Sequence, residues 1–302
     1  MKRLILIDGH AVLFRAFHAY PALSTSKGEL VNAVYGFTNI LLNTMAELKP
    51  THIAVTFDRA KPTFRHAAYT QYKATRPEMP SELAGQQERV EEVVKTLNIP
   101  IFAVEGYEAD DVIGTLAKQA SEAGEVVIVT GDHDALQLVE DTRVKVYMPG
   151  RGKIPARMYD EVEVEEKYGS LKPEQIPDFK GLVGDASDNI PGVRGIGPKM
   201  AVKLLAEFGS VEEVYKNLDK VKDKLGNRVA QQLIDDQEQA RLSKELATID
   251  RQVPIRLNVA ACQVHEYDKD MVIKLFEELE FRSLIKKLPN DSFEQMVQEA
   301  LL

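Results

Sequence analysis

Nine acidic side chains stand out in this sequence by where they fall. They are Asp8 in LILIDGH, Asp58 in VTFDR, Glu108, Asp110 and Asp111 in GYEADD, Asp132 and Asp134 in TGDHD, and Asp185 and Asp188 in GDASDN. A single aspartate after a strand is ordinarily a helix cap or a turn residue, and acids in a first helical turn suit the helix dipole. Several at one place need a further reason, because carboxylates brought together repel unless cations sit among them. Oxygen-only donors suit magnesium or manganese rather than zinc. Two such ions about 4 Å apart serve in-line displacement at phosphorus, one activating the attacking water and both stabilising charge on the oxygens. His10 and His133 adjoin these acids, but magnesium rarely takes imidazole, so both read as packing or substrate-edge groups.

The acids can act together only if the fold gathers them. RLILIDG at 3–9, THIAVTFD at 51–58 and EVVIVTGD at 125–132 are short apolar runs that each end in an aspartate. Helical spacing of apolar residues fills 31–48 and 109–123 between them. Strands alternating with helices imply crossover units and a mainly parallel central sheet flanked by helices, an α/β class whose ligands lie beyond the carboxyl ends of the strands. That places Asp8, Asp58 and Asp132 on one rim. A short strand pair and a helix near 159–168 follow in 142–169. From about 173 helices dominate, apart from strand-like stretches near 246–257, which puts a boundary near 175: an α/β core over 1–175 and a mainly helical unit over 176–302.

Two further segments carry positive charge. RAKPTFRHAAYTQYKATRPEMP, followed by a polar helix over 82–97, is too long for a simple connection and mixes Arg59, Lys61, Arg65, Lys73 and Arg76 with Phe64, Tyr69 and Tyr72. Phosphate contact and base stacking need that mixture. In GDASDNIPGVRGIGPK, Gly192, Gly195 and Gly197 fall in the order GxxGxG with no buried strand before them, so neither a dinucleotide fingerprint nor a Walker loop fits. A turn between helices at 172–182 and 198–208 remains, with Pro198 at a helix start and backbone amides able to meet phosphate. Lys199 and Lys203 lie four apart on one face of the second helix.

The chain has 302 residues and a net charge of −9, which by itself opposes binding to a polyanion. Setting the nine acids aside leaves 38 of the 47, matching the 38 lysines and arginines, so the excess can belong to a metal site. Cys262 is the only cysteine, which excludes an internal disulfide and a cysteine metal cluster, and a reducing cytoplasm is expected. No apolar run is long enough to span a membrane. An aspartyl phosphatase with Asp132 as nucleophile and Asp134 as acid and base is a weaker reading: Leu136 replaces the Thr or Val of that signature, and YEADD and GDASD would have no role.

DGH at 8–10, FRHAAYTQYKATR at 64–76, GYEADD at 106–111, TGDHD at 130–134 and GDASDNIPGVRGIGPKMAVKLL at 184–205 resemble the bacterial 5′ nuclease, flap endonuclease-like family, most closely its 5′ to 3′ exonuclease regions at the amino ends of bacterial DNA polymerases. The resemblance implies a PIN-like or Rossmann-like core, a helical arch over about 70–100 and a helix–three-turn–helix element over about 176–210. It implies metal ligation by Asp8, Asp58, Glu108, Asp110 and Asp111 at a first ion and by Asp132, Asp134, Asp185 and Asp188 at a second. Catalysis would rest on Asp8, Asp58, Asp110, Asp132 and Asp185 with Tyr72, Lys73 and Arg76 at the base of the arch. DNA would meet Arg65, Tyr72, Lys73, Arg76, Gly192, Gly195, Gly197, Lys199 and Lys203, with a potassium ion at the turn carbonyls. The implied activity is magnesium- or manganese-dependent hydrolysis at 5′ flaps and 5′ ends of duplex DNA in primer removal and repair, by a cytoplasmic monomer, with a DNA polymerase as an attached or separate partner. A PIN-type RNA nuclease and a non-catalytic DNA-junction binder are the alternatives. His133 departs from the lysine common between the paired aspartates.

Overall fold

The computed structural model describes residues 1–59, 62–150, 152–264 and 267–289. Lys61 lies outside them. The strands are β1 (Arg3–Asp8), β2 (His52–Thr56), β3 (Ile101–Phe102), β4 (Glu125–Val129), β5 (Val144–Met148) and β6 (Arg157–Tyr159). The helices of the first half are α1 (Gly9–Ala19), α2 (Asn32–Leu48), α3 (Phe64–Ala68), α4 (Ser81–Thr96), α5 (Ala109–Ser121) and α6 (Glu161–Lys167). Then come α7 (Ile176–Val183), α8 (Pro198–Phe208), α9 (Val211–Lys216), α10 (Leu218–Leu225), α11 (Asn227–Asp235), α12 (Gln237–Ala247), α13 (Val259–Cys262), α14 (Lys269–Glu278) and α15 (Arg282–Ile285). Among the described residues no helix is long and apolar enough to cross a membrane.

The sheet has the order β3-β2-β1-β4-β5-β6, parallel throughout except for the antiparallel edge strand β6. Burial on both faces explains the continuous apolar reading of β1, where Leu4, Ile5, Leu6 and Ile7 are all inside. Ile5 and Ile7 face α1, α2 and α4, while Leu4 and Leu6 face α5. Strand order reverses between β1 and β4, the place where a doubly wound sheet opens a crevice at its carboxyl ends. Asp8 closes β1 there. Asp58 and Asp132 sit just beyond the ends of β2 and β4.

The long excursion after β2 forms the arch: α3, a turn over 69–76, and α4 as the returning limb. α4 is amphipathic, with Leu83, Val90, Val93 and Val94 buried in the core. Its Gln86 supplies the cap that the start of α2 lacks, Oε1 accepting from the N–H groups of Ala33 and Val34 at 2.7 and 3.3 Å.

The strand-like stretches near 246–257 are not strands. The chain beyond α12 runs extended along α5, and side chains of that helix satisfy its backbone: Val253 N–H donates to Thr115 Oγ1 at 3.1 Å, and Gln119 bonds Leu257 N–H and the Ile255 carbonyl at 2.8 and 2.9 Å. Farther on, Val272, Leu275, Phe276, Phe281 and Leu284 pack into the core beside α2 and α4. The helical unit over α7–α12 has its own core around Leu182, Leu204, Leu205, Val214, Val221 and Leu233. The boundary near 175 therefore marks where that unit begins, but 249–288 returns to the sheet.

α7 and α12 cross closely because Gly181 has no side chain. A Cβ there would lie 2.9 Å from Lys244 Cβ and 3.1 Å from the Ala240 carbonyl oxygen. Gly181→Ala is expected to cost about 1–3 kcal/mol through overpacking, read as a lowered urea midpoint; an unchanged midpoint would contradict this contact.

Candidate metal centre and nucleic-acid interface

Asp8 is both the end of β1 and the cap of α1. Its Oδ1 accepts the Ala11 N–H at 2.9 Å and its Oδ2 the Thr130 hydroxyl at 2.7 Å, and it is 4% exposed. Burial, with the fields of Asp58 and Asp132 added, pushes its carboxyl up to about 7 against those two hydrogen bonds. Thr130 also accepts the Asp132 N–H at 3.0 Å, so one buried hydroxyl holds two acids in register. Asp58 Oδ1 accepts the Ala109 N–H at 2.6 Å and thereby ties the end of β2 to the start of α5. Asp110 follows on that first turn, partly open to solvent, and burial together with Asp8 and Asp132 raises its carboxyl well above the ordinary range.

Histidine at position 10 proves to be a packing group. Its Nδ1 accepts the Asp58 N–H at 3.1 Å, its ring meets Phe57 edge-on, and burial lowers its basicity so that the imidazole stays neutral. His133 is exposed on the cleft wall, with its basicity lowered by burial of its ring and by Lys167.

On the far side, Asp134 and Asp185 share Lys180. Its Nζ donates to Asp134 Oδ1 and, at 2.5 Å, to Asp185 Oδ2, and the side chain is buried on α7. Burial and Asp132 still push Asp134 up to about 6. Asp185, partly desolvated, is nonetheless brought down to about 2 by Lys180 and by Ser187, whose N–H and hydroxyl donate at 2.8 and 2.5 Å. Asp188 accepts from Arg76 and from the Tyr72 hydroxyl, the latter at 3.2 Å. Glu108 accepts from Lys73 Nζ at 2.8 Å and from the same tyrosine at 3.1 Å.

Two residues expected at the reaction centre form its floor instead. Arg65, 2% exposed, makes a bidentate pair with Asp111, both bonds 2.7 Å, and donates to the carbonyls of Leu246 and Thr248. Asp111 is wholly buried and takes two backbone N–H groups as well, from Glu108 and Asp250. Both oxygens of Asp111 are thus filled, and every guanidinium nitrogen of Arg65 is turned inward, Nη1 also lying 3.6 Å from Glu108 Oε2. Tyr72 is 3% exposed and works through its hydroxyl rather than offering a stacking face. Gly192 is also inside: its N–H donates to Ser243 Oγ at 3.0 Å and its carbonyl accepts from Gln239 at 2.5 Å. A Cβ at this φ of +65° would fall 2.2 Å from the Gly184 nitrogen, so the glycine permits a close chain crossing rather than phosphate contact.

Gly195, Gly197, Lys199 and Lys203 are exposed. A cleft of about 1210 Å³ runs from Lys199 and Lys203 to Asp132, Asp134 and Asp185, with Phe14, Arg15 and His18 of α1 on its opposite side. Lys180, Thr130, Arg15 and Lys167 were not legible as site residues. Lys180 left one signal, a lysine within the apolar run PDFKGLVGD one turn before the glycine and aspartate.

Among the described residues no three His, Cys, Asp or Glu side chains are drawn together as an ion-holding group. Lys73, Arg76 and Lys180 lie between the acids instead. The donor set nevertheless fits a hard divalent cation: every donor is oxygen, and the carboxyls of Asp8 and Asp110 are held up by desolvation and by neighbouring acids, which a cation would relieve.

The family described as "5'-3' exonuclease, N-terminal resolvase-like domain" matches residues 3–169, and "5'-3' exonuclease, C-terminal SAM fold" matches 171–270. DNA polymerase I of Chloroflexus aurantiacus is 47% identical over 294 residues, covering 95% of this chain and 31% of that protein. The Bacillus subtilis DNA polymerase I is 43% identical over 301 residues, covering 99% of this chain and 34% of that protein. The chain thus spans about a third of the length of these relatives. In fold it is similar to the T5 D15 protein co-crystallised with metal ions, TM-score 0.68 at 22% identity, covering 92% of this chain and 98% of that one. It is likewise similar to the catalytic core of Rad2 in complex with DNA substrate, TM-score 0.60 at 17% identity, covering 92% and 87%. With two adjoining models spanning the sheet and the helical unit, the chain belongs to the 5′-3′ exonuclease family.

Proposed function

We propose that this protein is a divalent-metal-dependent 5′ nuclease that hydrolyses phosphodiester bonds at 5′ flaps and 5′ ends of duplex DNA, as primer removal and repair require. The observation that carries the reading is the gathering of Asp8, Asp58 and Asp132 at or just beyond the carboxyl ends of β1, β2 and β4, with Asp110 on the first turn of α5 in their field, and with Asp132, Asp134 and Asp185 on a cleft that runs to Lys199 and Lys203. Membership of the family supports it, as do the metal ions of the T5 relative and the DNA substrate of Rad2. The relatives named DNA polymerase I support a polymerase as the partner activity, and the cytoplasm as its place.

Asp8, Asp58, Glu108 and Asp110 would hold one ion and Asp132, Asp134, Asp185 and Asp188 another, magnesium or manganese in each case. Bound there, the ions would supply a metal-activated water and charge neutralisation at phosphorus. The chain does the rest. The exposed amides of Gly195 and Gly197 and the ammonium groups of Lys199 and Lys203 hold duplex phosphates, with a potassium ion at the turn carbonyls. Lys73 and Arg76, resting on Glu108 and Asp188, turn to the phosphate of the 5′ strand at the arch. Neutral His10 keeps Asp58 aimed at α5. Because these contacts are to phosphate, selection is by junction shape rather than base sequence.

Cleavage of a labelled 5′ flap is expected only with magnesium or manganese, and Asp110→Asn is expected to lower the rate by about 10²-fold or more. Metal-independent cutting, preference for single-stranded RNA, or tight binding with no product would each defeat this reading. The carboxyls of Asp8 and Asp134, ordinarily near 3.8, ionise in the fold only near 7 and 6. Both therefore ionise more readily in the unfolded chain, and the metal-free protein loses stability as pH rises from about 4 to 7. Magnesium should accordingly raise the melting temperature strongly at pH 8 and little at pH 5, as calorimetry would show. Lys199→Ala with Lys203→Ala should weaken duplex binding and lower the salt slope by about 1–2, measured by titration at several ionic strengths.

A further inference from the structure

α12 is bonded to the hairpin turn, to the foot of the arch and to the turn that follows Asp134, yet its polar side chains do not line the cleft. At its start Asp236 accepts the backbone N–H of Arg194 at 2.8 Å and the guanidinium at 2.6 Å. Gln239, one turn on, donates to the Gly192 carbonyl at 2.5 Å, and Ser243, one turn further, accepts the Gly192 N–H at 3.0 Å. Both backbone polar groups of the turn's central glycine are thus fixed by this one helix. At its other end the carbonyls of Leu246 and Thr248 accept from Arg65, at the foot of the arch, at 2.9 and 2.7 Å. The Ala247 carbonyl accepts from Gln137, and the same amide donates to the Asp134 carbonyl, each at 3.0 Å. Between these ends Lys244 Nζ bridges Asp178 of α7 and Glu212 of α9, each at 2.7 Å.

A helix is stiff, and the 11 residues of α12, Gln237–Ala247, span about 16 Å at 1.5 Å per residue. The hairpin turn and the carboxylates are also joined by the 184–192 loop, which meets the arch through Asp188 and Asn189 but leaves both backbone polar groups of Gly192 to α12. We infer that Asp236, Gln239 and Ser243 are positioning residues that fix the register between the duplex held at 192–203 and the phosphodiester presented to the carboxylates, so that the point of cleavage is set by α12. The inference rests on the nuclease reading above.

The test uses the whole chain, magnesium and a 5′-flap DNA whose products are sized to single nucleotides. The parent protein should give one dominant product. Gln239→Ala, at a half-buried position, and the double variant with Ser243→Ala should spread cleavage by about one nucleotide, the roughly 3.4 Å rise of a duplex. Their single-turnover rate should fall about tenfold, as small misplacements at a reacting centre do, while duplex affinity stays within about twofold. A merely structural role would change melting or affinity and leave product length alone. A sharp parental product that both variants reproduce overturns the inference by itself. No metal-dependent product from the parent overturns the nuclease reading and the inference with it.

Discussion

Repulsion among buried carboxylates is the constraint around which this structure is arranged. Burial raises the cost of ionising Asp8 and Asp110, and the field of Asp132 adds to it for both. Side chains on a flexible scaffold would relieve that by separating. Here separation is blocked at each residue by backbone bonding: Asp8 caps α1, Asp58 is fastened to the first amide of α5, and Thr130 links Asp8 to Asp132. The parallel register of β2, β1 and β4 fixes the spacing of those anchor points. Stability is thereby spent to concentrate negative charge that a divalent cation can neutralise.

The cations near these acids divide into two kinds by geometry. Arg65 meets Asp111 through a bidentate, buried pair in which both Asp111 oxygens also accept a backbone N–H and the guanidinium also donates to two backbone carbonyls. Breaking such a pair costs about 3–5 kcal/mol, so it can take no part in a cycle of binding and release. Lys73, Arg76 and Lys180 instead rest on the carboxylates by end-on contacts at or beside the cleft. An ammonium or guanidinium in that position can exchange a carboxylate for a phosphate at little cost, because one charge-assisted bond replaces another. A rigid floor thus supports a layer of exchangeable charge.

That division explains what the sequence disclosed. Strand ends were legible because apolar runs stop at an acid, which is how Asp8, Asp58 and Asp132 could be placed together. The arch and the hairpin were legible as long or glycine-punctuated departures from periodicity. Pairing was not: nothing in FRHAAY says that Arg65 turns inward to Asp111, 46 residues away, rather than outward to a phosphate. The same holds for Tyr72, which reads as a stacking ring and proves to be a hydroxyl donor, and for Gly192, whose missing Cβ admits a chain crossing. Apolar alternation near 246–257 looked like strand, since a chain satisfied by Thr115 and Gln119 of α5 has the same half-buried pattern as one satisfied by a neighbouring strand.

The packing of α4 decides which part of the arch can admit a strand. Its apolar face is sunk in the core, Gln86 caps α2, and Arg89 binds Glu29 at 2.7 Å and Glu278 of α14 at 2.5 Å. Moving α4 would expose that face and strip α2 of its cap. The first turn of the crossover before it is held to the facing loop both by polar contacts, Lys73 N–H to the Asp188 carbonyl at 2.9 Å and Asn189 to the Gln71 carbonyl at 2.7 Å, and by an apolar cluster of Tyr72 with Ile190, Leu246 and Ala247, whereas 74–78 is exposed. Polar contacts that water or phosphate can replace open at much lower cost than buried apolar ones. The least anchored part of the arch is therefore 74–78, between Tyr72 in its apolar cluster and Leu83 in the core, and under the nuclease reading proposed above that is where a 5′ strand would find room, beside Arg76.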